Sequence, residues 1–215
     1  MIPEPQTHTL LRVAGPQALH AAAAAPAWVG DSLRRAPWVV IRRASPVDAL
    51  IPIGVRGASR EQRFASWLSP RAILEYVTPR MLVSRRAWSV ASPRAADLPA
   101  LAALDSVARI MREHGLQDCW GPGGSVGFEL ASSAATATSN SDLDLIVWTD
   151  RALTDERARS LHAALGSLAV RTDVLLEMPR GAIALAELFR ADGRPGTRVL
   201  RTTQGPRLIR NLAEL

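Results

Sequence analysis

Apolar residues recur along this chain in two rhythms. From Trp38 to Arg43, and again from Leu50 to Val55, they run almost unbroken through β-branched positions. Both stretches are expected as strands, joined through a turn at Ser45-Pro46 in a small antiparallel sheet. Ser59 to Leu68 reads instead as a short helix with Ser59 placed to cap it. Leu101, Leu104, Val107, Ala108 and Met111 then repeat at helical spacing, so a helix is expected from Leu101 to His114, stopped by Gly115. A loop, Trp120-Gly121-Pro122-Gly123-Gly124-Ser125, follows, then a short helix-like piece and a polar loop from Ser132 to Ser141. The remainder alternates: a strand from Asp142 to Trp148, a helix from Leu153 to Leu165, a strand from Val170 to Glu177, a helix near Ala182 to Arg190 and a last strand near Arg198 to Thr202. That alternation predicts an α/β (α+β) domain, a mixed sheet with flanking helices. A Pro- and Ala-rich stretch, Ser92 to Pro99, reads as a linker. It divides the chain near residue 96 into a β-rich domain over 1–95 and a second domain over 96–215.

Composition changes this picture in two places. With 215 residues and 47% hydrophobic content the chain can bury a full core, and no apolar run approaches the roughly 20 residues that span a bilayer. Glu4, Arg12, Pro16 and His20 interrupt any export signal, and the lone Cys119 suits a reducing compartment, so a cytoplasmic location without membrane attachment is expected. Every one of the 26 basic residues is arginine. Residues 1–95 hold 13 of them against 5 acids, while residues 96–215 hold 13 against 15. The basic half therefore suits an anion, unless it is simply a solvated surface. Nucleic acid is not expected: there is no zinc-finger spacing, no aromatic-rich RNA-binding signature, and only one Tyr and three Phe for base stacking. A phosphorylated small molecule or an acidic protein partner fits equally well.

The chemistry concentrates in the second half. Alternation along Asp142 to Trp148 sends Asp142 and Asp144 to one face and Leu143, Leu145 and Val147 to the other. Two carboxylates sharing an edge repel unless a cation lies between them, and Mg²⁺ takes oxygen ligands of this kind. Asp173 enters the apolar run Val174-Leu175-Leu176 in the same way, so three carboxylates converge if the two strands are neighbours. Such a set could hold Mg²⁺ through Asp142, Asp144 and Asp173, or leave Asp173 as a base toward an attacking hydroxyl. The glycines before Ser125 allow backbone amides to approach phosphate oxygens, and a helix starting at Ser125 would aim its positive end at them. Gly124 and Ser125 are the phosphate-contact candidates. Trp120 and Trp148 flank the acids; each is either a structural residue or a stacking surface for a base.

A Gly-Ser turn, an Asp-x-Asp strand and a third Asp on a later strand, in that order, resemble the nucleotidyltransferase superfamily. Sixteen residues separate Ser125 from Asp142, a longer interval than the superfamily usually shows. That interval and three segments narrow the resemblance: Trp120-Gly-Pro-Gly-Gly-Ser-Val-Gly-Phe-Glu-Leu130, Ser141-Asp-Leu-Asp-Leu145 and Arg171-Thr-Asp-Val174. Upstream, Pro37-Trp-Val-Val40 and Pro52-Ile-Gly-Val-Arg-Gly-Ala-Ser-Arg-Glu-Gln-Arg63 extend it over residues 35–205. The chain is similar to the malonate decarboxylase holo-acyl-carrier-protein synthases. The resemblance implies a nucleotidyltransferase-like catalytic domain that uses Mg²⁺. It also implies transfer of triphosphoribosyl-dephospho-CoA to a serine of the malonate decarboxylase acyl carrier protein, with a phosphodiester formed and pyrophosphate released. By motif position Asp142 and Asp144 inherit the metal-binding role, Gly124 and Ser125 inherit phosphate contact, and Asp173 matches the third acid.

Arg56, Arg60 and Arg63 form the remaining candidate set. Arg60 and Arg63 would share a face of the expected helix, with Arg56 in the turn before it, and forked guanidinium donors suit a triphosphate. A solvated helix face is the other reading. For the chain as a whole, two further readings stay open: another metal-dependent nucleotidyltransferase, such as a citrate lyase holo-carrier synthase or an ATP-using adenylyltransferase, and a non-catalytic nucleotide-binding module.

Overall fold

The computed structural model describes residues 6–20, 22–59, 61–89, 94, 97–150, 153–188 and 197–210. It separates into two compact units, Met1–Thr78 and Pro79–Leu215. The division thus falls after Thr78, ahead of residue 96. Of the expected linker, Ser92, Pro93, Ala95 and Ala96 lie outside the described residues.

The N-terminal unit is a five-stranded antiparallel sheet carrying one helix. Its strands are β1 (Leu10–Val13), β2 (Trp38–Ile41), β3 (Ile51–Arg56), β4 (Arg63–Leu68) and β5 (Ile73–Val77), in the order β4-β3-β2-β1-β5; helix α1 is Ala27–Arg35. Leu11, Val39, Ile53, Val55 and Leu68 form its core with Val29 and Leu33 of α1. Burying each of these side chains contributes roughly 1.5–3 kcal/mol. The two strands expected from β-branched runs are β2 and β3.

The helix expected over Ser59 to Leu68 is not formed. Arg63–Leu68 pairs with all of β3, from Arg56↔Arg63 to Ile51↔Leu68. Alternation decides it, because Ser66 and Leu68 are buried while Arg63 and Ala65 are exposed. The capping pattern at Ser59 belongs to the connecting turn instead. There Gly57 N donates to Gln62 O at 2.9 Å, and the Gln62 side-chain oxygen accepts from the amides of Ala58 and Ser59.

The C-terminal unit is a six-stranded mixed sheet in the order β11-β10-β9-β8-β7-β6. The strands are β6 (Trp120–Pro122), β7 (Leu143–Trp148), β8 (Thr172–Met178), β9 (Gly181–Ala184), β10 (Arg198–Thr202) and β11 (Gly205–Ile209). The helices are α2 (Pro79–Ser84), α3 (Pro99–Ala102), α4 (Leu104–Glu113), α5 (Gly124–Ser132) and α6 (Asp155–Gly166). Among the described residues only β7 and β8 run parallel, joined through α6, whose first turn is capped by the Thr154 hydroxyl. This α+β architecture agrees with the expected fold class. The helix expected from Leu101 to His114 appears as α3 and α4, and Leu104, Val107, Ile110 and Met111 bury its inner face. Gly115, at φ +68°, ends it as expected, while Leu116 N returns to Met111 O at 2.7 Å.

A second correction falls at Ala182 to Arg190. Gly181–Ala184 is strand β9, hairpinned onto β8 through Met178↔Gly181, and only Leu185–Glu187 makes a short 3-10 turn; Phe189 and Arg190 lie outside the described residues. Ala182 and Ile183 are fully buried within the sheet, so tertiary burial overrides the helical propensity of an alanine-rich run. Trp120–Pro122, expected as loop, forms a short edge strand paired with Leu145–Val147. No helix among the described residues is long and apolar enough to cross a membrane.

Helix α2 leans directly on the β6 backbone. A Cβ on Gly121 would sit 2.4 Å from the Pro79 carbonyl carbon and oxygen, atoms that cannot yield as a flexible side chain would. Gly121→Ala is therefore expected to cost about 1–3 kcal/mol, as overpacking does, and to lower the thermal midpoint by several degrees, read by circular dichroism. An unchanged midpoint would contradict the close approach.

Candidate active site

The parallel pairing of β7 with β8 puts Asp144 directly beside Asp173, with Leu143 opposite Thr172 and Leu145 opposite Val174. In parallel neighbours, register partners point to the same face, so the two carboxylates lie side by side. Both residues are solvent-exposed, whereas Leu143, Leu145 and Val147, on the alternate face, are buried. Asp142 stands one residue ahead of β7 and is half-buried. Among the described residues no three His, Cys, Asp or Glu side chains gather closely enough to hold a metal ion, so Asp142, Asp144 and Asp173 do not form a ready three-carboxylate cage. The sheet itself accounts for the pair only. Asp173 also has a neighbour of its own, since both its oxygens lie 3.4 Å from Nη2 of Arg171.

The glycine turn meets the acidic strand at Asp144. Gly123 N donates to Asp144 O at 2.8 Å, fixing the turn to β7 by a backbone bond. Gly124 then takes φ +55°, and a Cβ there would lie 1.8 Å from Asp144 Oδ2. The carboxylate thus occupies the space a side chain at 124 would fill. It also sits at the start of α5, where unsatisfied amides and the helix dipole favour negative charge. Gly127 is equally constrained, for its Cβ would meet Pro122 O at 2.4 Å. Ser125 is buried, its hydroxyl donating to Ser141 Oγ at 3.3 Å and its carbonyl accepting from Thr136 Oγ1 at 2.8 Å.

The long interval between Ser125 and Asp142 is held by one buried carboxylate. Glu129, 7% exposed, accepts through Oε2 from Thr136 N at 2.8 Å and Ala137 N at 2.7 Å. Arg94 approaches its other oxygen at 3.6 Å and donates to Ala137 O at 3.1 Å. At the far end of the loop, Ser141 Oγ accepts from Thr138 N at 3.0 Å. Sequence reasoning assigned Glu129 no role. The available signal was a lone acid inside the apolar run Val126 to Leu130, since a buried charge requires partners.

The tryptophans divide. Trp120 is 1% exposed and tilted against Trp88, with ring centroids 6.1 Å apart, so it is a core residue and presents no stacking surface. Trp148 is partly exposed, on the Asp144 face of β7, and carries the Arg80 guanidinium 4.6 Å from its ring centroid. Arg56 and Arg63 belong to the N-terminal unit, facing each other at the end of the β3–β4 hairpin, where Arg63 Nη1 donates to the carbonyls of Ser59 and Gln62. Arg60 lies outside the described residues. Because Arg63 is on a strand, the shared helix face expected for Arg60 and Arg63 does not exist.

A glycine-serine turn packed against an Asp-x-Asp strand, on a mixed sheet with a further acid next door, defines an enzyme of the nucleotidyltransferase type. Residues 86–212 match the family model described as the phosphoribosyl-dephospho-CoA transferase MdcG C-terminal domain, and residues 6–79 match that of its N-terminal domain. The chain belongs to this transferase family. It is 38% identical to a protein of Klebsiella pneumoniae strain 342 over 95% of this chain and 94% of that one. Identity is also 38% to a Pseudomonas aeruginosa protein over 95% and 92% of the two chains, and 40% to one from Pseudomonas fluorescens Pf0-1 over 87% and 85%. All three are named phosphoribosyl-dephospho-CoA transferase. No solved structure matches the chain.

The Gly124–Asp144 contact yields a direct expectation. Gly124→Ala must push the Asp144 carboxylate aside, and where a carboxylate takes part in the chemistry a displacement of about 1 Å costs on the order of a hundredfold in rate. Turnover should fall by about that factor, while the strained φ costs only about 1–3 kcal/mol of stability. Transferase turnover and thermal melting, measured together, separate the two effects; full activity in the alanine variant would refute the contact.

Proposed function

We propose that this transferase moves the phosphoribosyl-dephospho-CoA group from triphosphoribosyl-dephospho-CoA onto a serine of the malonate decarboxylase acyl carrier protein, in the cytoplasm, with release of pyrophosphate. The transferred group is the one in the family's name; the triphosphate donor and the malonate decarboxylase system follow the motif resemblance. The observation that carries the reading is the close packing of the Gly124 turn against Asp144, beside Asp173.

Mg²⁺ is commonly bound by one or two carboxylates and keeps several waters, with substrate phosphates as further ligands. An exposed Asp144–Asp173 pair fits that habit better than an all-protein cage would, and Asp142 is close enough in sequence to contribute through water. When bound, the ion offsets charge on the triphosphate and on the departing pyrophosphate. The first amides of α5 orient phosphate oxygens beside Asp144, and the Ser125 hydroxyl joins them by giving up its bond to Ser141. The carrier serine attacks the phosphorus next to the ribose. Its oxygen forms the new phosphodiester bond, its proton is lost, and the bond to pyrophosphate breaks.

Incubating the chain with Mg²⁺, the triphosphoribosyl precursor and purified carrier should give a heavier carrier by intact-mass measurement and an equal amount of pyrophosphate. Asp144→Asn should lower that rate by about two to three orders of magnitude, the scale of removing one charge-stabilising group, and leave the fold intact. A carrier whose mass stays constant, while a control synthase modifies the same preparation, sinks the assignment. Modification with ATP in place of the precursor would move it to an adenylyltransferase.

A further inference from the structure

We infer that Arg171 is a positioning residue that exchanges partners during the reaction: it holds the Asp173 carboxylate until a divalent cation takes that carboxylate, then turns to an oxygen of the triphosphate. The inference rests on the transferase reading given above. Arg171 directly precedes β8 and shares side-chain parity with Asp173, so its guanidinium emerges on the face that carries Asp144. Its backbone is anchored, because Arg171 O accepts from Leu143 N at 2.9 Å, tying it to the first residue of β7. Its side chain is not anchored, being 71% exposed, with Asp173 51% exposed. A single Nη2 reaches both Asp173 oxygens at 3.4 Å, longer than the charge-assisted bonds of a settled guanidinium–carboxylate pair.

Each of these features favours exchange over a fixed salt bridge. An exposed, long ion pair is weakly held, so a doubly charged ion competing for the same oxygens displaces it. The freed guanidinium then stands two register positions from the Asp144–Asp173 pair, on the same face, where a triphosphate spanning turn and acids brings its oxygens. A planar fork of donors fits them.

The test uses the full chain and two readouts. In the first, Mn²⁺ alone is titrated by electron paramagnetic resonance into the parent, Arg171→Met and Asp173→Asn. Removing the competing cation should make Arg171→Met bind Mn²⁺ severalfold more tightly than the parent, and Asp173→Asn should bind more weakly. In the second, Arg171→Met should raise KM for the triphosphoribosyl precursor by about tenfold, the worth of one charged hydrogen bond, with Arg171→Lys restoring part of it. Unchanged or weaker Mn²⁺ binding in Arg171→Met, or an unchanged KM, overturns the inference. If parent binding depends on Asp173 but not on Arg171, only the exchange fails; if the parent binds no Mn²⁺, the metal-site reading fails with it.

Discussion

The carboxylate of Asp144 lies where a side chain on residue 124 would be, and much of the C-terminal unit is arranged around that substitution of an acid for a methyl group. It requires glycine at a positive φ, an α5 that begins at that residue, and a β7 register that delivers Asp144 rather than Leu143 or Leu145 to the turn. The backbone bond from Gly123 to Asp144 O holds the register, and Gly127 lets the first turn of α5 lie flat on Pro122 O. A helix N-terminus is thereby aimed at a carboxylate and at whatever anion binds beside it. The same electrostatics that make the acid tolerable there suit the turn to the phosphate contact proposed for it.

A second constraint works at a distance from the chemistry. Between Ser125 and Asp142 the chain makes a long polar loop, and loops without regular structure carry an entropic cost unless something orders them. Glu129 does so from within α5, binding two consecutive loop amides, while Thr136 and Ser141 tie the loop to Ser125. The buried charge is tolerable because those partners, with Arg94, satisfy it. The loop is thus a wall of the site, and its length is what allows Glu129 to reach it.

Elements with a single strong periodicity were legible in the sequence: β2, β3, α4, β7, α6, β8 and β10 stand close to where apolar spacing put them. The misreadings share a cause. Ser59 to Leu68 and Ala182 to Arg190 have helical composition, but their fate is decided by partners distant in sequence, β3 for one and β8 for the other. Within the site, the Gly-Ser turn and Asp-x-Asp strand were recognisable because backbone geometry demands those residue types. The side-by-side placement of Asp144 and Asp173 followed once the strands were taken as neighbours. Glu129 and Arg171 went unassigned because the apolar run around Glu129 marks it as buried without showing what it holds, and nothing local marks Arg171. Their roles come from what the fold carries to them, a loop in one case and an adjacent carboxylate in the other.

The single parallel pair in the sheet has a kinetic corollary. Hairpins such as β8–β9 or β10–β11 can zip from a tight turn, whereas β7 and β8 must wait for α6 to close the long connection between them. Asp144 and Asp173 are therefore strangers through the early stages of folding, and their mutual repulsion arises only when the surrounding core is in place to bear it. Once formed, the pair is held at both ends: fully buried Leu143 precedes Asp144 and buried Val174 follows Asp173, so the carboxylates cannot part without disturbing the core that brought them together.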